Sequence, residues 1–303
     1  MMIGTRDEFT YLECGGCGTV QIEEVPDLTP YYPGDYYSLA AARQTFIEEK
    51  LARRLAAPFV GDYFMTGNGL IGKLAAKRAF WFDDLFPPSL RDPILKLSKR
   101  SSILDFGCGG GKLLRDLASF VFKDLTGADA YIAHDLEFPK VKIRKQTLEQ
   151  VTGRFDLVML HHSFEHLPDP LDSLEKLREL LNPDGTLLIR IPIAAEAWER
   201  YGVNWFQLDA PRHLFLFTES AFRSLATRAG FAVSKVVYDS DFMQFVMSEQ
   251  YARDIAMHDE RAYRGDAAKS IFTPDQIDEF KLAAERLNAE NRGDQACFYL
   301  VRR

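Results

Sequence analysis

From residue 101 onward, short apolar runs alternate with stretches of helical periodicity. SSILDFG reads as a buried strand and KLLRDLASFVF as a helix. LTGADA, KVKIRK and FDLVMLHH read as strands, followed by the helix DPLDSLEKLRELL and the strand GTLLIRIP. A further helix, TESAFRSLATRAG, leads to the strand FAVSKVVYDS, and ACFYLVRR reads as the last strand. Strands that alternate with helices predict an α/β fold whose mainly parallel, doubly wound sheet is covered on both faces. Residues 240–295 form an insertion before that last strand. It holds a predicted helix, TPDQIDEFKLAAERLNAE, with Thr273 as N-cap and Pro274 at the first helical position.

The first third has a different pattern. Residues 1–38 are rich in Gly, Pro, Tyr and Cys and read as loops with one or two short strands. TPYYPGDYYS breaks any helix at Pro30, Pro33 and Gly34 while supplying four tyrosine rings. Residues 39–98 turn helical. SLAAARQTFIEEKLARRLAA starts at a cap, Ser38, and sets Phe46, Leu51 and Leu55 near one face. GLIGKLAAKRAFWFDDLF predicts a second helix, ended by Pro87 and Pro88. These helices read as a cover on the main domain at 99–303, either simply packed on it or acting as a lid.

Composition narrows the class. Of 303 residues, 47% are hydrophobic and 27% charged, which suits a folded chain with a substantial core. The net charge of −7, with no long basic stripe, argues against a nucleic-acid partner. No segment has the build of a signal peptide, and no apolar run approaches the roughly 20 residues of a membrane span. With only four cysteines, Cys14, Cys17, Cys108 and Cys297, we expect a reducing, cytoplasmic setting and no membrane partner.

The strongest chemical signal is ILDFGCGGGKLL. A strand ends at Asp105, Gly107, Gly109 and Gly111 follow at alternate positions, and a helix begins at once. Glycine tolerates unusual backbone angles and lets a ligand approach the main chain. The dinucleotide fingerprint needs glycine where Lys112 stands, and a Walker A loop needs Ser or Thr where Leu113 stands. The spacing therefore disfavours a nicotinamide oxidoreductase and a P-loop. Asp129 closes the next strand, where a carboxylate can accept hydrogen bonds from ribose hydroxyls.

DFGCGGG, GADA, FDLVMLHHSFEHLPDPLDSLEKLRELLNPDGTLLIRIP and DAPRHLFLFTESAFRSLATRAGF, in that order over roughly residues 100–240, resemble the class I S-adenosylmethionine-dependent methyltransferases, in particular their small-molecule branch. The resemblance implies a Rossmann-like sheet of seven strands with an antiparallel last strand. It implies S-adenosylmethionine as cofactor, with Asp105, Gly107, Gly109 and Gly111 around its methionine and ribose parts. Asp129 would hold the ribose, Leu148 would lie near the adenine, and His161 would offer backbone groups to the methionine moiety.

ECGGCGTVQIEEVP followed by YYPGDYYS resembles methyltransferases that carry a small zinc ribbon and serve glycan or natural-product pathways. Such a ribbon needs a second CxxC upstream, and none of the thirteen residues before Cys14 is cysteine. Structural zinc takes four protein ligands, so we expect no metal.

Methyl transfer from a sulfonium needs positioning and a dry site, and an oxygen acceptor also needs to lose a proton. His213, His166 and His162 are the candidate bases, because the histidine pKa lies near neutrality. Each also has a plain structural reading, as strand-end or loop-holding residue. Arg212 reads either as a clamp for an anionic acceptor or as the partner of a carboxylate. Trp205 and Phe206 read as pocket-closing residues. The leading expectation is an enzyme that methylates a small molecule, such as a sugar or glycan precursor. The alternative is a cofactor-binding module that acts as a partner or regulator. The sequence leaves the oligomeric state open.

Overall fold

The structure is a computed structural model that describes residues 7–32, 50–66, 69–76, 86–257 and 259–303. The expected cap at Ser38, the position Phe46 and residues 77–85 of the second expected helix lie outside the described residues. So do Tyr36 and Tyr37.

In chain order the elements are β1 (Tyr11–Glu13), β2 (Val20–Ile22), α1 (Leu51–Thr66), α2 (Leu70–Ala76), β3 (Ser102–Phe106), α3 (Lys112–Phe120), β4 (Asp124–Ala128), β5 (Leu136–Phe138), β6 (Val141–Arg144) and β7 (Phe155–His161). They continue with α4 (Pro170–Glu179), β8 (Leu181–Pro192), α5 (Glu196–Tyr201), β9 (Phe215–Leu216), α6 (Glu219–Arg228), β10 (Phe231–Tyr238), α7 (Met243–Ala252), α8 (Pro274–Ala289) and β11 (Gln295–Arg302).

The main sheet has the order β10-β11-β8-β7-β3-β4-β6-β5. Strands β8, β7, β3, β4 and β6 run parallel, and β11 is antiparallel to both its neighbours, as the resemblance implies. The sheet has eight strands among the described residues rather than the expected seven. The extra one, β5, folds back antiparallel on β6 across Pro139 and Lys140 and forms an edge. After β3 the chain adds strands on one side, then returns to β7 on the other. This places a topological switch point, and hence a ligand crevice, beyond the ends of β3 and β7.

Side chains alternate across the pleat. Ile103, Leu157 and Met159 face one core with Leu117, Phe120 and Phe86, while Leu104, Val158 and Leu160 face the other with Leu174, Phe222 and Phe298. Helix α1 joins the first core through Ala57 and Val60. Leu51 and Leu55, expected on its packed face, are instead 67% and 64% exposed. The contact is made by small residues. A Cβ on Gly61 would lie 2.9 Å from Phe120 Cβ, so the backbones approach where leucines would hold them apart. The helix also continues past Pro58 to Thr66.

The N-terminal hairpin forms a second, three-stranded sheet, β1-β2-β9. Val20 pairs with Leu216 and packs with Trp205, Leu208 and Ala197. The Tyr11 hydroxyl donates to the His213 carbonyl at 2.8 Å, and Thr218 donates to the Cys17 carbonyl at 2.9 Å. The hairpin is thereby tied to the segment that carries His213. Among the described residues no helix is long and apolar enough to cross a membrane.

Candidate functional site

The glycine loop joins β3 to α3. Gly107 and Gly111 have φ of 77° and 74°, a region that side-chain-bearing residues avoid. A Cβ on Gly107 would fall 2.3 Å from Ser163 Cβ, and one on Gly111 would fall 2.0 Å from Ile143 Cδ1. Gly107 has no space for a side chain, and at Gly111 the tip of Ile143 would have to move while the backbone angle disfavours one in any case. Gly109 donates its N–H to Asp129 Oδ2 at 2.9 Å, and Tyr131 donates its N–H to Oδ1 at 2.8 Å. The acid at the end of β4 thus braces the loop at the end of β3.

A cavity of about 960 Å³ opens beyond the strand ends. That is roomy enough for a cofactor and a second small molecule. Phe106, Gly107, Asp129, Tyr131, Leu148 and His161 line one part of it, and His162, His166, Phe206, Gln207, His213 and Gln244 line another. Of the residues expected at the cofactor, Gly107, Asp129, Leu148 and His161 therefore face the cavity. Asp105, Gly109 and Gly111 stand behind its wall. Burial, with the charge of Asp129 second, pushes the Asp105 carboxyl up to about 7.

These residues fit the adenosyl donor in one checkable respect. An ionised carboxylate offers about four lone-pair positions, and Asp129 uses two on the loop. The others are open to hydroxyl groups of a ligand in the cavity, as ribose would supply. The tight glycine cradle lets the ligand meet the main chain at Gly107.

The candidate bases lie together. The chain leaves β7 at His161, turns left-handed at His162 (φ 51°), and enters a short turn at Phe164–His166. His213 arrives from the loop after Asp209, another left-handed residue (φ 36°). Such backbone costs about 1–3 kcal/mol and gathers at functional positions. The rings of His166 and His213 meet edge to face at 4.8 Å. His213 Nδ1 donates to the Gln207 carbonyl at 2.6 Å, and His166 Nδ1 to the Arg212 carbonyl at 2.7 Å. A carbonyl only accepts, so both rings hold their proton on Nδ1 and leave Nε2 with a free lone pair.

His162 is different. Its Nε2 accepts from Arg190 at 2.8 Å, so its proton sits on Nδ1, 3.5 Å from Glu165 Oε1. All three rings are held neutral. Burial pushes His213 and His166 down to about 4. It pushes His162 down to about 3, with Arg190 adding to the effect, although a third of that side chain faces the cavity.

Arg212 is buried and donates to both oxygens of Asp209 at 2.6 Å, so it holds a carboxylate of its own chain. Phe206 lines the cavity, whereas Trp205 is buried behind it with its indole N–H on Asp294 at 3.0 Å. From the N-terminal tyrosines, Tyr32 lines the cavity, stacks on Tyr131 at 4.3 Å between centroids, and sets its hydroxyl 3.2 Å from His166 Nδ1.

Sequence reasoning missed Tyr131, Arg190, Gln244 and Asp294 as cavity residues. Arg190 carried a signal, a charge inside the buried strand GTLLIRIP. Gln244 and Asp294 belong to the insertion and had none.

Residues 80–236, more than half of the chain, match the profile of a methyltransferase domain family. The chain belongs to that family, and its cofactor is S-adenosylmethionine. Similar curated proteins include the ubiquinone biosynthesis O-methyltransferases of Histophilus somni, 32% identical over 28% of this chain and 42% of theirs, and of Xanthomonas campestris, 36% identical over 29% and 41%. The chain thus spans less than half the length of the curated relatives it matches. Among solved structures, the cyclopropane synthase MmaA2 of Mycobacterium tuberculosis aligns over 88% of this chain and 90% of its own, at 15% identity and a TM-score of 0.45.

Proposed function

We propose that the protein transfers a methyl group from S-adenosylmethionine to an oxygen of a small-molecule acceptor. The observation that carries this reading is the single cavity that runs from Gly107 and Asp129 to the neutral histidines His166 and His213. When bound, the cofactor supplies a methyl group activated on a sulfonium. Gly107, Asp129, Leu148 and His161 would hold it, and Asp105, Gly109 and Gly111 would shape the loop from behind.

The acceptor would lie towards Phe206, Gln207 and Gln244. An oxygen nucleophile must lose its proton, and the His166 and His213 Nε2 lone pairs with the Glu165 carboxylate form the group that can handle it. His162, its lone pair held by Arg190, would support Glu165 rather than accept a proton. Aromatic faces at Tyr32 and Phe206 beside hydrogen-bonding amides suit a polar ring compound, such as a sugar or glycan precursor. The ubiquinone biosynthesis relatives are named as O-methyltransferases, which favours oxygen over nitrogen or carbon.

The test uses calorimetric titration with S-adenosylmethionine, then an acceptor panel with a deuterated methyl donor read by mass spectrometry. We expect binding and a labelled product from a hydroxylated acceptor. A folded protein that binds no S-adenosylmethionine sinks the proposal.

A further inference from the structure

We propose that Glu165, His166 and His213 form a binding site for one divalent transition-metal ion at the wall of the cavity. The ligand atoms of these three residues lie within 4.8 Å of one another. Donors about 2.0–2.2 Å from a shared ion stand up to about 4.4 Å apart, so a slight contraction completes the set.

Three observations point to a cation. First, Glu165 is 0% exposed, and neither of its carboxylate oxygens has a hydrogen-bond partner among the described residues. A buried carboxylate without donors is costly, and a bound cation removes that cost. Second, both histidines direct a free Nε2 lone pair while Nδ1 donates to a backbone carbonyl, at Gln207 and Arg212. That outer hydrogen bond is the usual support of a metal-binding imidazole. Third, the neighbouring charges cancel without reaching Glu165. Arg212 is paired with Asp209 and Arg190 with Asp239. His162 Nδ1 lies 3.5 Å and His213 Nε2 lies 3.8 Å from Glu165 Oε1, and neither makes a hydrogen bond to it. His162 carries its proton on Nδ1, the nitrogen that faces Glu165, and so is not a ligand.

Two imidazoles and one carboxylate on one side of the ion leave positions open towards the cavity. This donor set suits manganese, iron, cobalt or zinc better than magnesium or calcium, which prefer oxygen. The ion's binding does not depend on which acceptor the cavity takes. Its role rests on the methyl-transfer reading: an ion there would lie beside the acceptor oxygen and favour its deprotonated form. The histidines would then serve as ligands, and the proton would pass to water.

The test is metal titration of the full chain after chelator treatment and dialysis, by calorimetry with zinc, cobalt, manganese and magnesium salts. Cobalt adds a visible absorption readout. We expect one transition-metal ion per chain and much weaker magnesium binding. Glu165→Gln and His213→Ala should each weaken the ion by more than the ~10–100-fold typical of outer-shell changes. Cys14→Ser with Cys17→Ser should leave it in place. Thermal melts establish that each variant is folded, and Glu165→Gln serves alone if His213→Ala is not. No transition-metal binding by the folded wild type overturns the site, as does full retention of the ion in Glu165→Gln. S-adenosylmethionine binding is measured alongside. Metal without cofactor binding sinks the methyl-transfer reading alone, and cofactor without metal sinks this site alone.

Discussion

Asp129 serves two structures at once, the glycine loop through Gly109 and the turn through Tyr131. If its remaining lone pairs hold ribose hydroxyls, Asp129→Ala should weaken S-adenosylmethionine by about 1.5–3 kcal/mol. Calorimetry gives the affinity, and a melt without ligand separates loop damage from lost contact. An unchanged dissociation constant would show that another group holds the ribose. Asp105 makes a different prediction. Its carboxyl titrates at about 7 when folded, against the ordinary value of 3.8. Between these values the folded state binds more protons than the unfolded one, so this group lowers stability as pH rises from about 4 to 7. Above 7 the loss is complete. Asp105→Asn should therefore raise the melting temperature more at pH 8 than at pH 5, relative to wild type. An equal shift at both values contradicts the assignment. At this scale the sequence showed the residue types well. Gly107 and Asp129 could be named because strand ends and loop spacing are local, whereas Leu148 and His161 were named only through the family resemblance. What it could not show is which nitrogen of each histidine is free, because that depends on carbonyls at Gln207 and Arg212 brought in by the fold.

At the scale of elements, caps were legible and packing faces were not. Thr273 caps α8 as its sequence implied. Its hydroxyl accepts from Gln276 N at 3.2 Å, and the Gln276 side chain accepts from Thr273 N at 2.9 Å. Thr273→Ala should cost about 0.5–2 kcal/mol, measured by denaturant unfolding. A change within error would mean that the helix is held by its packing alone. The face of α1 was misread because periodicity marks large apolar residues, while the observed contact rests on Ala57, Val60 and Gly61. Gly61→Leu should therefore destabilise the protein more than Leu55→Ala, since only the former meets Phe120 and Val121. Equal melting temperatures for the two variants would refute that packing. The edge strand β5 escaped notice for another reason. Three residues cannot display an alternation, and the hairpin depends on Lys140 adopting φ 65°.

For the molecule as a whole, the cavity draws on parts of the chain that are far apart in sequence. Tyr32 comes from the N-terminal segment, Gln244 and Asp294 from the insertion, and the rest from the sheet. The doubly wound architecture was legible because each strand-helix unit is local, but this convergence is tertiary. It has a thermodynamic consequence. A ligand that binds only the folded state stabilises it by about 2.7 kcal/mol at 100 times its dissociation constant. For a chain of this length that corresponds to a rise of about 4 °C in melting temperature. The N-terminal hairpin should share in it. Strand β2 pairs with β9, and Tyr11 holds the carbonyl of His213. Hydrogen exchange should therefore slow at Val20–Ile22 when S-adenosylmethionine is added, together with the segment from Gln207 to His213. The measurement is exchange mass spectrometry with and without cofactor. A rise in melting temperature with unchanged exchange at Val20–Ile22 would show that the hairpin opens independently of the site. In that case Tyr11→Phe should also leave cofactor binding untouched, whereas coupling predicts a weaker affinity and faster exchange around His213.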